Sequence, residues 1–173
     1  MNYADIKRVD VANGPGVRVS LFVSGCTHRC PGCFNPETWD FQFGARFGED
    51  EIQAILDYLR PTHIRGLSLL GGEPFEPENQ QAVLELVRRV RSELPQKDIW
   101  CYSGYLFEAL AEGNIGPHSR TLLEQLDILV DGPFVLARKN LGLRFRGSDN
   151  QRIIRVQDSL ACGRAVLWDD GQP

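Results

Sequence analysis

The sequence predicts an α/β fold, a partial and open (βα) barrel with a parallel sheet. Two observations favour this class: short apolar runs alternate with longer amphipathic ones, and a glycine-containing segment follows each apolar run. The chain of 173 residues is shorter than a full eight-unit barrel, which typically takes about 250 residues. Since nothing in the composition marks a second domain, we expect a single domain over residues 1–173.

The predicted strands are short apolar runs bounded by turn residues. From Val17 to Val23 apolar residues alternate with others, which indicates a strand with at least one buried face, and Asn13–Gly16 has the composition of a turn. Further strands are predicted at Gly66–Leu70, Asp98–Tyr102 and Ile128–Val130, with weaker patterns at Ile153–Val156 and Ala165–Trp168.

Helical spacing separates these strands. Three acidic residues at 49–51 mark a helix start, and apolar residues follow at helical spacing until Pro61. Pro77 begins the next helix and Pro95 ends it, and shorter helices are predicted around Leu106–Ala111 and Ser119–Leu126. Alternating strands and helices imply right-handed crossovers, so the carboxyl ends of the strands should meet at one edge, where α/β folds bind ligands.

The segment GCTHRCPGCFN, residues 25–35, carries the most specific motif. Cys26, Cys30 and Cys33 stand at Cys-x3-Cys-x2-Cys spacing directly after the strand Val17–Val23. Ordinary four-iron electron-transfer clusters use four cysteines, whereas three leave one iron without a thiolate, much as catalytic zinc keeps an open position. We interpret the motif as a [4Fe-4S] cluster site with an open iron, covered by the aperiodic aromatic segment Phe34–Phe47.

Other interpretations of these cysteines remain open. Cys30–Cys33 has the spacing of a thiol–disulfide motif, and the three cysteines with His28 would supply four zinc ligands. A redox dithiol does not require Cys26, and a zinc site within eight residues would place His28 between ligands at an unusual spacing. A fourth ligand from Cys101 or Cys162 would instead close the cluster and indicate an electron-transfer protein.

Three other predicted strand ends carry candidate binding residues. Glycine carbonyls at Gly71 and Gly72, with the charge of Glu73, suit an ammonium group, although a glycine turn explains the same residues. The hydroxyl of Ser103 and the backbone N–H of Gly104 suit a carboxylate or ribose, and helix capping by Ser103 is the alternative.

Asp131 follows the fourth strand. Its carboxylate suits ribose hydroxyls or an approaching partner, but an aspartate before Gly-Pro is also an ordinary turn residue. We therefore treat Asp131 as one more candidate at the same edge.

Composition excludes several classes of function. A net charge of -4 argues against nucleic-acid binding, and no apolar stretch reaches membrane-spanning or signal-peptide character, so we expect a cytoplasmic protein without a membrane partner. The odd number of cysteines, three of them in one loop, suits a reducing compartment. Between Arg138 and Arg155, six basic residues against one acidic residue predict a surface that docks an acidic partner, with a solvated loop as the alternative.

The cysteine loop with its neighbouring Gly-Gly-Glu segment resembles the radical S-adenosylmethionine (SAM) enzymes. The resemblance implies that the open iron chelates the methionine part of SAM and that the Gly-Gly-Glu segment meets its amino group. It extends the SAM site to the candidates Gly71, Gly72, Glu73, Ser103, Gly104 and Asp131. Members usually carry an aromatic residue against the adenine just before the third cysteine, where this chain has Gly32, so Phe34 and His28 are the candidate substitutes.

Five longer segments are similar to the activators of anaerobic ribonucleoside-triphosphate reductases, a glycyl-radical-enzyme activating family among the radical SAM enzymes. They are RVSLFVSGCTHRCPGCFNPETWDF, LSLLGGEPF, IWCYSGY, DILVDGPF and FRGSDNQRII. The resemblance implies an oxidoreductase in which a 5′-deoxyadenosyl radical takes hydrogen from a glycine of the large reductase subunit, with electrons from a low-potential donor such as a flavodoxin. No side-chain general base is needed, because cluster and SAM perform the chemistry. An activator of another glycyl-radical protein, such as a formate-lyase type, is the alternative.

Overall fold

A computed structural model describes residues 1–169, and residues 170–173 of the predicted single domain lie outside them. The described chain contains these strands: β1 Asn2–Asp10, β2 Val17–Val23, β3 Ala45–Arg46, β4 Ile64–Gly71, β5 Asp98–Tyr102, β6 Ile128–Asp131 and β7 Arg152–Arg155. Its α-helices are α1 Glu49–Leu59, α2 Pro77–Glu93, α3 Phe107–Ala111, α4 Ser119–Leu123 and α5 Val156–Cys162. Short 3-10 helices cover Pro36–Trp39 and Leu136–Arg138.

The strands form one open sheet in the order β3-β1-β2-β4-β5-β6-β7. Its centre is parallel, because β2 pairs with β4, β4 with β5 and β5 with β6 in the same direction. Towards one edge β1 runs antiparallel to β2 and to the two-residue edge strand β3, and at the other edge β7 runs antiparallel to β6. The predicted α/β class is confirmed and the parallel sheet is confirmed for its centre, but not at its edges. The curvature of a partial barrel stays a prediction.

Both edges depart from the predicted elements. The sequence does not indicate β1, because Asp5, Lys7 and Arg8 interrupt its apolar pattern, and it becomes a strand by pairing with β2. At the other edge β7 ends at Arg155, so the predicted strand Ile153–Val156 is displaced by one residue and α5 begins where it was expected to end. The predicted strand Ala165–Trp168 is only a single bridge between Leu167 and Ile154.

The two longest helices begin and end close to where the sequence predicts. Pro77 occupies the first turn of α2, where its missing N–H costs nothing, and α1 ends two residues before Pro61. The predicted helix Ser119–Leu126 is shorter, since α4 ends at Leu123. None of the helices within residues 1–169 has both the length and the apolar character needed to cross a membrane.

The two faces of the sheet differ, because successive side chains of a strand point to opposite sides. On one face fully buried strand residues such as Leu21, Leu69 and Ile99 pack with residues of α1 and α2 in the main core. Each such burial contributes about 1.5–3 kcal/mol. The other face holds a smaller aromatic cluster around Trp100, with Phe145 and Trp168, to which no described helix contributes. That face is therefore covered by loops rather than by helices.

Candidate functional site

The cysteine loop follows β2 and opens onto a cavity of about 480 Å³. Cys26, Cys30 and Cys33 all line this cavity as free, partly buried thiols. Three residues of the loop have positive φ, Gly25 at +97°, Arg29 at +47° and Gly32 at +74°. The N–H of Cys33 donates to the carbonyl of Cys30 at 3.1 Å. A bulky residue at positive φ is uncommon, so this tight loop is a specific structure that presents three sulfurs to one space.

Burial raises the pKa of the Cys26 thiol to about 11, and burial also raises the pKa of Cys30. Reactive dithiols show the opposite, because a lowered pKa supplies the attacking thiolate. A bound metal replaces the thiol proton, so metal binding at these cysteines would release protons. The thiol–disulfide interpretation of Cys30–Cys33 therefore loses support.

The remaining two cysteines lie elsewhere. Cys101 is fully buried in the main core, on the helix-covered face of β5, and Cys162 is exposed at the end of α5. Neither lines the cavity. Within residues 1–169, no three His, Cys, Asp or Glu side chains are grouped closely enough to hold one metal ion. Thiolates that bind separate irons of one cluster lie further apart than ligands of a single ion.

The predicted meeting of strand ends is observed around this cavity. Gly71, Gly72 and Glu73 after β4, and Ser103 and Gly104 after β5, line the same space as the three cysteines. The parallel centre of the sheet explains this, because it places these carboxyl ends side by side. Five candidate residues from two strand ends are thus brought to the cysteine loop.

Glu73 connects the parts of this site. Glu73 is 1% exposed, and its Oε1 accepts from the Phe75 N–H and the Ser103 hydroxyl, both at 2.9 Å. Oε2 accepts from the Gly104 N–H at 2.7 Å and lies 3.1 Å from Nε2 of His28, whose pKa this hydrogen bond raises. The carboxylate predicted to meet an ammonium is therefore used to join the cysteine loop to the ends of β4 and β5.

A second buried carboxylate, that of Glu76, anchors the cysteine loop. Glu76, next to the first residue of α2, accepts from the N–H of Thr27 at 2.7 Å and from its hydroxyl at 2.6 Å. The side-chain amide of Asn79 donates to the carbonyls of Ser24 and Glu73. Sequence reasoning missed both residues. The signal that was available is a glutamate and an asparagine at a helix start, directly after the Gly-Gly-Glu segment.

The two glycines allow backbones to approach closely. Gly71 has φ +107°, and a β-carbon there would lie 2.7 Å from the backbone N of Val23. A β-carbon on Gly72 would lie 2.5 Å from the carbonyl oxygen of Gly25. Backbone hydrogen bonds cross this contact, from Gly72 to Val23 at 2.7 Å and from Glu73 to Gly25 at 2.8 Å. The structural interpretation of the Gly-Gly pair is therefore sufficient by itself.

Replacing Gly72 with alanine is expected to displace the cysteine loop, because the new methyl group would overlap the carbonyl oxygens of Gly25 and Thr38. We expect lower iron content after anaerobic reconstitution, measured as iron per protein. Gly48→Ala is the matched control, since its β-carbon would meet only the Glu51 carboxylate at 3.7 Å. Normal iron content with weakened SAM binding in Gly72→Ala would mean that this glycine serves the ligand and not the loop.

Asp131 has a different environment from the one predicted. It is fully buried and does not line the cavity, whereas its neighbour Gly132 does. Arg152 donates from Nε to Oδ1 at 2.9 Å, and the N–H of Phe107 donates to Oδ2 at 2.8 Å. Arg152 also pairs with Glu108 at 2.8 Å. Both carboxylate oxygens are occupied, so a ribose contact by Asp131 receives no support, and its observed role is to join β6, β7 and α3.

Several of the six residues of the predicted basic surface form internal ion pairs. Arg138 pairs with Asp149 and Arg155 pairs with Asp158, in addition to the pairs of Arg152. The ammonium of Lys139 lies 5.1 Å from the ring centre of Phe34. Charge counted along the sequence therefore overstates the positive field available to an acidic partner.

The space beside Gly32, the residue before the third cysteine, is filled by a side chain from a distant part of the chain. A β-carbon on Gly32 would lie 2.8 Å from Cδ1 of Leu136, which occupies the neighbouring space. Of the two candidate adenine contacts, Phe34 lines the cavity with 60% of its surface exposed and packs on Phe134 at 5.3 Å between ring centres. His28 is instead engaged by Glu73, so Phe34 is the better candidate.

Part of the segment Phe34–Phe47 packs against the cysteine loop, as expected of a cover. The N–H of Gly25 donates to the carbonyl of Thr38 at 2.8 Å, and that of Cys26 to Trp39 at 3.3 Å. The ring of Phe41 lies directly over Gly25. This segment therefore lies along the start of the loop, and Trp39 lines the cavity beside Cys26.

Comparison with known proteins identifies one matching family and several similar relatives. Residues 12–154 match the family described as 4Fe-4S single cluster domain. The anaerobic ribonucleoside-triphosphate reductase-activating protein of Vibrio cholerae is 46% identical over 157 residues, which cover 90% of this chain and 98% of that protein. The protein of the same name from Escherichia coli K12 is 42% identical over 87% of this chain and 96% of its own length. That of Enterobacteria phage T4 is 39% identical over 88% and 93%.

Proposed function

Since the chain belongs to the family of anaerobic ribonucleoside-triphosphate reductase-activating proteins, we propose that it uses a [4Fe-4S] cluster to cleave SAM reductively and to generate a glycyl radical on the reductase. The observation that carries this proposal is the shared cavity of three cysteines and two strand ends. An activator of another glycyl-radical protein would use the same chemistry, and family membership favours the reductase.

The proposed ligands of the cluster are Cys26, Cys30 and Cys33. Their common cavity supports this set, and the positions of Cys101 and Cys162 outside it favour three protein ligands over four. When bound, the cluster supplies the electron for SAM cleavage, drawn from a low-potential donor such as a flavodoxin. The cysteine loop is held in place by backbone hydrogen bonds to Thr38 and Trp39 and by the hydrogen bond from Thr27 to the Glu76 carboxylate.

In the proposed SAM site, backbone carbonyls of Gly71 and Gly72 accept from the amino group of SAM. Ser103 and Gly104 lie at the end of the neighbouring strand β5 and line the same cavity, with their hydroxyl and N–H groups donating to Glu73, and Phe34 offers its ring to the adenine. Glu73 adds negative charge near the amino group while it holds the framework. We further expect the open sheet to curve as a partial barrel whose uncovered side admits the glycine-bearing loop of the reductase.

The proposal predicts that SAM changes the electron paramagnetic resonance spectrum of the reduced cluster, because the amino and carboxylate groups of its methionine part would bind the open iron. The anaerobically reconstituted and reduced protein is titrated with SAM, and adenosine, which lacks those groups, is the control. We expect shifted g-values with SAM and no shift with adenosine. An unchanged spectrum at saturating SAM would instead support a closed electron-transfer cluster.

A further inference from the structure

Exposed apolar residues form a small patch beside the cysteine loop. Phe34 and Leu136 are 60% and 52% exposed, and Leu136 fills the space beside Gly32. The ammonium of Lys139 lies 5.1 Å from the ring centre of Phe34, and the N–H of Lys139 donates to the carbonyl of Leu136 at 3.1 Å. We call Gly32, Phe34, Leu136 and Lys139 the loop-tip patch. An exposed apolar group with a polar rim is typical of an interaction site.

The loop-tip patch adjoins two of the three proposed cluster ligands. Cys30 and Cys33 flank the turn Pro31–Gly32, both residues of which are exposed. Phe34 directly follows Cys33, whose sulfur accepts from the N–H of Asn35 at 3.4 Å. Electron transfer between proteins slows steeply with distance, so a donor has to dock where the cluster ligands lie close to the surface. The outer side of this turn meets that condition.

The charge around the patch is positive. Residues 133–149 hold four basic residues and one acidic residue, in a chain whose net charge is -4. Arg138 pairs with the acidic residue, Asp149. Among residues 1–169, Lys139 and Arg146 take part in no ion pair, since Lys139 contacts the Phe34 ring and Arg146 donates to a backbone carbonyl. Their charges therefore attract a partner of negative charge.

Together these features select one kind of occupant. Proximity to the cluster ligands suits a protein that delivers electrons, and the positive charge suits an acidic one. Electron-transfer complexes are weak and bury little surface, at the low end of the range for protein interfaces, which fits a patch of few residues.

We propose that the loop-tip patch docks an acidic protein that donates single electrons to the cluster. One electron leaves the reduced cofactor of the donor and enters the cluster, so the donor is oxidised and the cluster reduced by one electron, and no bond forms or breaks. This inference rests on the proposed cluster and its need for an electron, but not on SAM cleavage or on the reductase.

The first test reverses the charge of the patch. The anaerobically reconstituted protein, without SAM, is mixed with reduced flavodoxin, an acidic donor, and the rate of cluster reduction is measured. For Lys139→Glu we expect a rate roughly 3–10-fold lower at low ionic strength, since steering by a whole charged surface is worth about 10–1000-fold. The deficit should shrink as salt is added. Arg88→Glu, the same charge change on the exposed side of α2, is the matched control and should keep the rate.

The second test removes the apolar part. Leu136→Ser should slow reduction by flavodoxin at low and at high salt, because apolar contact is not screened. Leu167→Ser is the matched control, since Leu167 is 61% exposed and lies outside the patch. Photoreduced 5-deazariboflavin, a small neutral reductant that needs no docking surface, should reduce all four variants at the rate of the unsubstituted protein.

Three results overturn the proposal. Flavodoxin could reduce Lys139→Glu and Leu136→Ser as fast as the unsubstituted protein, or deazariboflavin could be slowed as much as flavodoxin, which would place the effect in the cluster itself. The third is weakened binding of the reductase with unchanged reduction by flavodoxin, which would make the patch part of the reductase interface. A failure of the proposed function looks different, as a cluster that both reductants reduce normally but that does not cleave SAM.

Discussion

Replacing Cys26, Cys30 or Cys33 with alanine is expected to abolish glycyl radical formation. Each change removes one of three cluster ligands, and the cavity offers no other cysteine within the described residues. The loss of activity should exceed the roughly 10–100-fold loss that is typical when only a residue hydrogen-bonded to a metal ligand is replaced. Iron content after anaerobic reconstitution and the yield of 5′-deoxyadenosine measure it.

The other two cysteines provide matched controls. Cys162→Ala should behave as the unsubstituted protein, because its thiol is exposed at the end of α5. Cys101→Ala should keep its iron while losing roughly 0.5–1.5 kcal/mol of stability, as for other small buried groups. Normal iron after loss of any of the three loop cysteines, or iron loss only with Cys101 or Cys162, would contradict the ligand assignment.

The second large effect is expected at Glu73. Glu73→Ala removes the acceptor of four hydrogen bonds and leaves His28, Ser103 and Gly104 without their common partner. Breaking a buried charged pair of this kind costs about 3–5 kcal/mol, so we expect a marked loss of stability together with poor cluster loading. Urea unfolding of the cluster-free protein measures the first effect, and iron content measures the second.

Two variants make this test specific. Glu73→Gln should cost less, about 1–3 kcal/mol, because the amide keeps the shape but points N–H groups at existing donors. Glu85→Ala, on the exposed side of α2, should change stability by no more than about 0.5 kcal/mol. If Glu73→Ala unfolds like the unsubstituted protein and loses only SAM affinity, the carboxylate is a ligand contact and not the framework described above.

The parts of the fold that the sequence predicts are those whose pattern is local. The strands β2, β4, β5 and β6 are buried in the sheet, so their apolar runs are clear. By contrast, β1 carries charged residues along an exposed strand and is defined by its partner β2, which periodicity within one segment cannot reveal. The helix α5 is missed because it begins at Val156, directly after β7, with no turn residue between the two elements.

The candidate site likewise has features that the local sequence shows and features that depend on distant partners. The cysteine spacing and the glycine-containing strand ends are visible in the sequence, and the parallel order of the strands is enough to bring them together. The partners of their side chains are not visible, since Glu73 meets Ser103 and Asp131 meets Arg152 across long sequence separations. Paired carboxylates therefore look like free ligands in the sequence, and paired arginines look like a docking surface.

The most direct test follows hydrogen from the reductase to SAM. The reductase is prepared with deuterated glycine and incubated anaerobically with the activating chain, SAM and a low-potential reductant. We predict deuterium in the 5′-deoxyadenosine formed and a glycyl radical signal on the reductase, with neither in a matched reaction of Cys30→Ala. Undeuterated 5′-deoxyadenosine and a radical-free reductase, obtained with a fully assembled cluster, would contradict the proposed activity.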